Sequence, residues 1–201
     1  MIQIFKKEFN VDKREDILRA ASVVFQKYGF AKTTLDDIAR ECGMKNTALY
    51  YYFKNKEDIM NAMFDCDMKK IQDNIRNAVA KQDTPKNKIH AFILEKLISF
   101  KSQKRYFNLI LREDLSVKQR QFAFEQKNKF DEFEKELLTE IISEGINNNV
   151  FVNHSIDSVI YMITGTTWGI SYFVLHNEQE MDLNNIVDDV VNIMFIGLEK
   201  R

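Results

Sequence analysis

The sequence predicts an all-α protein of about nine helices, and three observations support that class. The chain of 201 residues contains only one proline and six glycines, so few positions would interrupt a helix. Its apolar residues recur at steps of three and four, as in "ILRAASVVF", which is the period of one helical face. No pair of strand-like segments joined by a hairpin turn is recognisable. The length allows one or two domains with a substantial core.

The N-terminal quarter predicts three helices in succession. Asp12 offers an N-cap for the first, with Glu15 completing a capping box, and Gly29 follows its last apolar residue. A second helix is predicted to begin at Thr33 or Thr34 and to stop at Gly43, and a short third helix covers about residues 46–53. Helix, tight glycine turn and helix at this spacing predict a helix-turn-helix.

The rest of the chain predicts six further helices. Thr84 and Pro85 have the character of an N-cap and first helical residue, and Gly145 is expected to end the longest of the six. We expect a division into an N-terminal domain of residues 1–56 and a helical body of residues 57–201. The six helices cover about residues 56–80, 85–100, 104–114, 117–145, 155–177 and 183–200.

The charge is distributed unevenly along the chain. Residues 1–56 contain 11 Lys and Arg against 7 Asp and Glu, a net charge of +4, whereas the remainder contains 18 against 23, a net charge of −5. A basic N-terminal part on an acidic body indicates that the N-terminal part contacts a polyanion.

Two further features bear on the compartment. The two cysteines, Cys42 and Cys66, provide no disulfide framework and suit a reducing cytoplasm, and no signal peptide is recognisable. The segment 158–177 is uncharged over about the length of a membrane span and places Gly165 and Gly169 in GxxxG spacing. Its six serine, threonine and histidine residues favour a buried helix of a soluble bundle over a membrane span.

Four aromatic residues stand together in "LYYYF". A helix buries one face, so adjacent rings must point in several directions around its axis. Leu49 and Phe53 are spaced to face inward, which leaves the three tyrosines between them on the outside. A tyrosine hydroxyl can donate to a phosphate oxygen while its ring packs on sugar or on a thymine methyl group. An aromatic core stripe with one wetted edge is the alternative interpretation.

Three pieces, "ILRAASVVFQKYGF", "TTLDDIARECGM" and "ALYYYFKNKEDIM", occur in this order within about residues 13–60. In this arrangement the chain resembles the TetR/AcrR family of bacterial transcription regulators. The resemblance implies that helices one to three form a DNA-binding unit whose third helix enters the major groove. Beyond residue 60 only the helical architecture is similar, so the resemblance assigns no residues there.

The resemblance also implies roles for individual residues. Four residues at the start of the third helix address base edges, two tyrosines contact the DNA backbone, and a threonine and a lysine bind phosphates. In that order they are Lys45, Asn46, Thr47 and Ala48; Tyr50 and Tyr51; and Thr34 and Lys56. Thr33 is a weaker candidate for the role of Thr34. Because Lys45 stands where the family commonly has a serine N-cap, this helix is expected to lack its usual cap.

The body is expected to form a homodimer, because one helix-turn-helix makes too few contacts for operator affinity. The last two helices are the candidates for the interface, since they carry small and apolar residues on shared faces. The residues expected there are Gly165, Trp168, Gly169, Ile186, Val190 and Met194. The alternative is that these faces are buried within one subunit.

The body is also expected to enclose a pocket for a hydrophobic small-molecule effector that releases a palindromic operator. The chain has 16 phenylalanines, and Phe92, Phe107, Phe130 and Phe173 on the middle helices are the candidate lining residues. Buried charge is not evident, and Glu134 falls in a charge run that is typical of a solvated helix face. The helix at 56–80 joins the DNA-binding end to the body and is the expected lever.

The sequence favours a cytoplasmic repressor over an enzyme, without cofactor or metal. His90, His154 and His176 are too dispersed for a metal motif, and no nucleophile–base pair or glycine-rich phosphate loop is recognisable. Two alternatives stay open. One is a regulator whose body binds a protein and no small ligand, and the other is an all-α lipid carrier or enzyme with a regulator-like N-terminus.

Overall fold

The computed structural model describes residues 2–102, 116–176 and 181–198, and over that part the protein is all-α, as predicted. The predicted helix at 104–114 lies outside the described residues. The eight described helices are α1 (Ile2–Tyr28), α2 (Leu35–Glu41), α3 (Asn46–Leu49), α4 (Lys56–Ala80), α5 (Pro85–Ser102), α6 (Val117–Asn147), α7 (Ile156–His176) and α8 (Leu183–Leu198).

Helix α1 begins eleven residues earlier than Lys13, the first helical residue that an N-cap at Asp12 indicated. Its first residue is Ile2, so Asp12 lies within the helix and does not cap it. The preceding segment "IQIFKKEFNV" contains neither glycine nor proline, and an interior aspartate costs a helix less than 1 kcal/mol, so the helix can extend through it. Gly29 and Gly43 follow α1 and α2 with φ of 77° and 64°, the left-handed conformation expected at helix ends.

Helix α3 is shorter than predicted. It ends at Leu49, and the amides of Tyr51 and Tyr52 donate to carbonyls three residues back, those of Ala48 and Leu49. This is the tighter 3₁₀ pattern that often closes a helix. The predicted helix over 46–53 is therefore one α-helical turn followed by a tightened turn that carries the tyrosines.

Helix α6 passes the glycine that was expected to end it. Gly145 lies inside the helix, and the ring of Phe151 packs so closely on its α-carbon that a Cβ there would lie 2.2 Å from a ring carbon. The turn is made further on, at Asn149, whose φ is 58°. The glycine thus permits the close approach of Phe151, whose ring also packs against that of Phe195 at an interplanar angle of 60°, with ring centroids 5.3 Å apart.

The chain divides into two compact units, Met1–Cys66 and Asp67–Arg201. This division and the predicted one after residue 56 both fall within α4, and the functional boundary stays a prediction. In the first unit α1 packs on α2, and α2 packs on α3. Its core includes Leu49 and Phe53, which were predicted to face inward. The following core residues are all at most 3 % exposed: Ile17, Val24, Phe25, Ile38, Ala39, Leu49 and Phe53.

In the second unit α5 is the central helix, because it packs against α6, α7 and α8. Its apolar face is fully buried at Ile89, Phe92, Ile93 and Leu97. Among the described helices, α7 alone is long and apolar enough to cross a membrane by length and composition. It packs on α5 and α6 and buries Ile163, as a core helix of a bundle does.

Candidate nucleic-acid interface and body cavity

The N-terminus of α2 has a complete capping box at Thr34. The hydroxyl of Thr34 accepts from the amide of Asp37 at 3.2 Å, and the carboxylate of Asp37 accepts from the amide of Thr34 at 2.9 Å. The hydrogen bonds from Thr34 hold the pKa of Asp37 below its usual value. The arrangement fixes the start of α2 and leaves Thr34 exposed on the surface.

Thr33 is not available to DNA in this structure. Its side chain is 2 % exposed, and its hydroxyl donates to the carbonyl of Gly29 at 2.8 Å. Of the two threonines, Thr34 therefore stays the candidate for binding a DNA phosphate.

The start of α3 presents the four residues that were assigned to base edges. Lys45 has an extended backbone and makes no side-chain cap, as its identity predicted, while Lys45, Thr47 and Ala48 are exposed. Asn46 is half-buried, and its side-chain oxygen is buried without a hydrogen-bond partner. An unpaired buried acceptor is unfavourable by about 1–3 kcal/mol, and the base-reading role of Asn46 stays a prediction.

The aromatic run is divided between core and surface. Leu49 is fully buried and Phe53 is 3 % exposed, whereas Tyr50 is 54 % and Tyr51 76 % exposed. Tyr52 is half-buried and its ring lies edge-on to that of Tyr51, with centroids 5.2 Å apart. The aromatic-core alternative therefore fails for Tyr50 and Tyr51, which project from a rigidly packed turn.

Lys56 makes contacts that the resemblance did not anticipate. Its ammonium donates to the carbonyls of Phe30, Ala31 and Thr33 at 2.8, 3.1 and 3.0 Å, and it lies 4.7 Å from the ring of Phe30. An ammonium has three N–H donors, and these three carbonyls accept all of them. Lys56 thus fastens the turn between α1 and α2 to the first residue of α4.

The second unit contains a charged cavity of about 360 Å³ between α6 and α7. We call it the α6–α7 cavity. Its charged lining residues are Lys96 from α5 and Lys127, Asp131, Glu134 and Lys135 from α6, and α7 contributes Ile160, Tyr161 and Trp168 among others. A second cavity of about 350 Å³ is lined from α4 to α6 and includes Lys88 and Glu144.

The floor of the α6–α7 cavity is a buried ion pair. The side chains of Lys96 and Glu134 are 2 % and 5 % exposed, and they pair with each other. Burial raises the pKa of Glu134, and the nearby Lys96 opposes that rise. The expectation that Glu134 belongs to a solvated face is wrong. Charged residues flank it along α6, but Glu134 itself lies on the buried side of the helix with Phe130 and Phe133.

Sequence reasoning missed this pair, although a signal for it existed. Lys96 stands in the apolar stripe of α5, four residues after Phe92 and four before Phe100. A lysine at such a position needs a buried partner.

Three of the four phenylalanines assigned to a pocket lie in the described part of the chain. Phe92 and Phe130 are buried in the core, Phe173 is 59 % exposed, and Phe107 lies outside the described residues. The lining of the two cavities given above includes none of them.

The residues assigned to a dimer interface differ in their exposure, and they do not all lie on the exposed faces of the last two helices. Trp168 is 54 % exposed and Gly165 is exposed, whereas Gly169, Ile186 and Val190 are intermediate and Met194 is buried in the subunit. A Cβ at either glycine would meet nothing within 4 Å. Other large apolar side chains of these helices are exposed, and they form what we call the outer apolar face: Met162, Tyr172, Phe173, Ile193 and Ile196.

Comparison with known proteins agrees with this geometry. The family described as "Bacterial regulatory proteins, tetR family" matches residues 17–63. The fatty acid metabolism regulator protein of Bacillus subtilis (strain 168) is 25 % identical over 194 residues, which cover 94 % of this chain and 97 % of that protein.

Two solved structures share the fold. A TetR transcription regulator from Haloarcula marismortui superposes with a TM-score of 0.76 at 19 % identity, covering 94 % of this chain and 100 % of the other. The transcriptional regulator FadR from Bacillus subtilis, in complex with stearoyl-CoA, gives a TM-score of 0.66 at 24 % identity, covering 91 % and 98 %.

An all-α fold with an N-terminal helix-turn-helix, exposed tyrosines and a helical body defines a DNA-binding transcription regulator. Residues 17–63 match the tetR family of bacterial regulatory proteins, and the full-length relative and the solved structures support a TetR/AcrR-type regulator.

Proposed function

We propose that the protein is a cytoplasmic, dimeric repressor that binds a palindromic operator and is released from it by a hydrophobic, acyl-type effector. The observation that carries the DNA-binding part is the exposure of Tyr50 and Tyr51 on a turn whose inner face is fully packed. Side chains held in this way can contact a duplex without first becoming ordered.

Dimer formation is supported by the outer apolar face. Large apolar side chains on α7 and α8 are exposed in the single chain, and exposed apolar surface beyond scattered single residues is typical of interaction sites. We infer that a second copy of the chain covers this face, because a two-fold symmetric operator binds two copies.

The effector class is supported by the relatives. The full-length relative is named for fatty acid metabolism, and FadR was solved with stearoyl-CoA. In the proposed mechanism the effector binds better to the conformation whose third helices are wrongly spaced for the operator, and this lowers operator affinity by the same factor. An enzymatic role is not proposed, since the relatives reported above are regulators.

The role of the exposed tyrosines can be tested with Tyr50→Phe, which removes only the hydroxyl. We expect about a tenfold loss of affinity for the operator, because a hydrogen bond to a charged phosphate is removed. Fluorescence anisotropy with the intergenic DNA next to the protein's own gene measures it, and Tyr28→Phe, at the exposed end of α1, is the matched control. Unchanged affinity in Tyr50→Phe would remove the proposed phosphate contact.

The role of Lys56 can be tested through the salt dependence of DNA binding. We propose that it acts by holding the α1–α2 turn, so Lys56→Met should weaken operator binding by about tenfold. The slope of log K against log salt should stay at its wild-type value, whereas the loss of one phosphate contact would reduce that slope by about 0.9.

Lys81→Met, which removes an exposed lysine of the second unit, serves as the control for the lost charge. A reduced slope in Lys56→Met alone would return Lys56 to the phosphate-binding role that the resemblance implies.

A further inference from the structure

We propose that the α6–α7 cavity binds the anionic head group of an amphipathic effector, and that Lys96 recognises this head group in competition with Glu134. The inference rests on the proposed ligand response and names the chemistry that the effector presents to the body.

The first support is the incomplete bonding of the buried pair. Lys96 has three N–H donors, and within the described part of the chain its ion-pair partner is Glu134 alone. The carboxylate oxygen that Lys96 contacts, Oε1 of Glu134, is buried and has no hydrogen bond of standard geometry within the described residues. The ammonium of Lys96 therefore has N–H donors to spare beside the cavity.

The second support is that a fold does not generally need a buried ion pair for its stability. A buried ion pair can often be replaced by packed apolar residues at no loss, or with a gain, of stability. Here it lies among aromatic residues, with the ammonium of Lys96 5.8 Å and 5.7 Å from the ring centroids of Phe100 and Phe130. Such surroundings would accommodate an apolar pair, so a binding role accounts for the charges better than a structural one.

The charges favour an anionic ligand over a cationic one. Three lysines and two carboxylates line the cavity. Lys135 also pairs with Asp157 at 3.1 Å. Both side chains are about 60 % exposed, so this ion pair is weak and Lys135 can exchange its partner. Burial already raises the pKa of Glu134, and a second anion beside Lys96 would raise it further.

The walls favour an amphipathic ligand. Ile160, Tyr161 and Trp168 provide apolar and aromatic surface beside the charged floor. The volume of about 360 Å³ lies within the range of small-molecule sites, which is about 300–1,000 Å³. A head group with the first part of an alkyl chain matches this combination.

The experiment uses three probes with a common ten-carbon chain: decanoate, decanoyl-CoA and decanol. Trp168 is the only tryptophan in the chain and lines the cavity, so its fluorescence reports occupancy of this site, and calorimetry gives the affinities. We expect the wild type to bind an anionic probe about tenfold to a hundredfold more tightly than decanol, the range for a hydrogen bond to a charged group. Decanoate and decanoyl-CoA distinguish a carboxylate from a coenzyme A phosphate as the source of the charge.

The informative variant is Lys96→Met/Glu134→Leu, which removes both charges and replaces them with apolar side chains of similar volume. It should bind decanol with wild-type affinity and should no longer bind the anionic probes more tightly than decanol. Glu134→Gln should strengthen binding of the anion, because the competing carboxylate is gone. The matched control is Lys88→Met/Glu144→Leu, which removes a different α5–α6 ion pair, with an N–O distance of 2.6 Å, and should leave the preference unchanged.

Equal affinity of the wild type for all three probes would overturn the inference, and so would a preference that survives in Lys96→Met/Glu134→Leu. Operator release is measured separately with the same probes. Release that does not depend on Lys96 would overturn the inference and leave the proposed function standing. Binding that depends on Lys96 without any release of DNA would uphold the site and contradict the proposed ligand response.

Discussion

Lys96→Met is expected to destabilise the second unit by about 3–5 kcal/mol, because it leaves the carboxylate of Glu134 buried and unpaired. Urea unfolding followed by the fluorescence of Trp168 measures this loss in the full chain. Lys96→Met/Glu134→Leu should recover most of the stability, since no unpaired charge then stays behind.

The loss in Lys96→Met should also depend on pH. Burial raises the pKa of Glu134 in the wild type, and removal of Lys96 takes away the strongest opposing influence. A carboxyl whose pKa is higher in the folded than in the unfolded chain binds more protons when folded, so stability falls as pH rises from the ordinary value of 4.5 through the raised pKa.

The variant should therefore be closest to the wild type in acid and furthest from it at neutral pH. A loss of less than about 1 kcal/mol at pH 7, with no pH dependence, would show that the carboxylate of Glu134 finds water or another partner.

Ile193→Asp/Ile196→Asp is expected to convert the protein to a monomer and to lower operator affinity by about a thousandfold or more. Both side chains are exposed, at 69 % and 68 %, so the subunit should fold normally, while each new carboxylate would be buried in the proposed interface. A single helix-turn-helix then binds one half-site, and the affinity approaches that of non-specific binding.

Sedimentation velocity gives the oligomeric state, and anisotropy gives the affinity for the operator. Val117→Asp is the matched control, because this valine is 78 % exposed on α6 and lies outside the outer apolar face. A variant that sediments as a dimer would show that the interface lies elsewhere, and a monomer that keeps wild-type affinity would remove the requirement for two copies.

The N-terminal unit was predictable because its determinants are local. Thr34 and Asp37 are three residues apart, as a capping box requires, and Leu49 and Phe53 are spaced to face one core. These relations depend only on positions a few residues apart on one helix or turn, so the sequence alone predicts them. The length of α3 was harder to predict, because hydrogen bonding at a helix end depends on the packing around it.

The body was less predictable because its contacts join distant positions. Glu134 was assigned to a solvated face, since the surrounding charges of α6 resemble one, and only the packing of α6 on α5 brings it to Lys96, 38 residues earlier in the chain. The four phenylalanines were grouped by composition, yet two are core residues and one is exposed. Aromatic content predicts burial in general and does not predict which rings meet.

The sequence by itself determined the helical class, the helix-turn-helix and the outward position of Tyr50 and Tyr51, because helical period and capping are properties of short segments. The tertiary structure decided that Lys56 holds the α1–α2 turn, that Gly145 admits the ring of Phe151, and that Lys96 and Glu134 form the floor of a cavity. Each of these depends on two segments that meet only when the chain folds, and no spacing along the sequence encodes the distance between them.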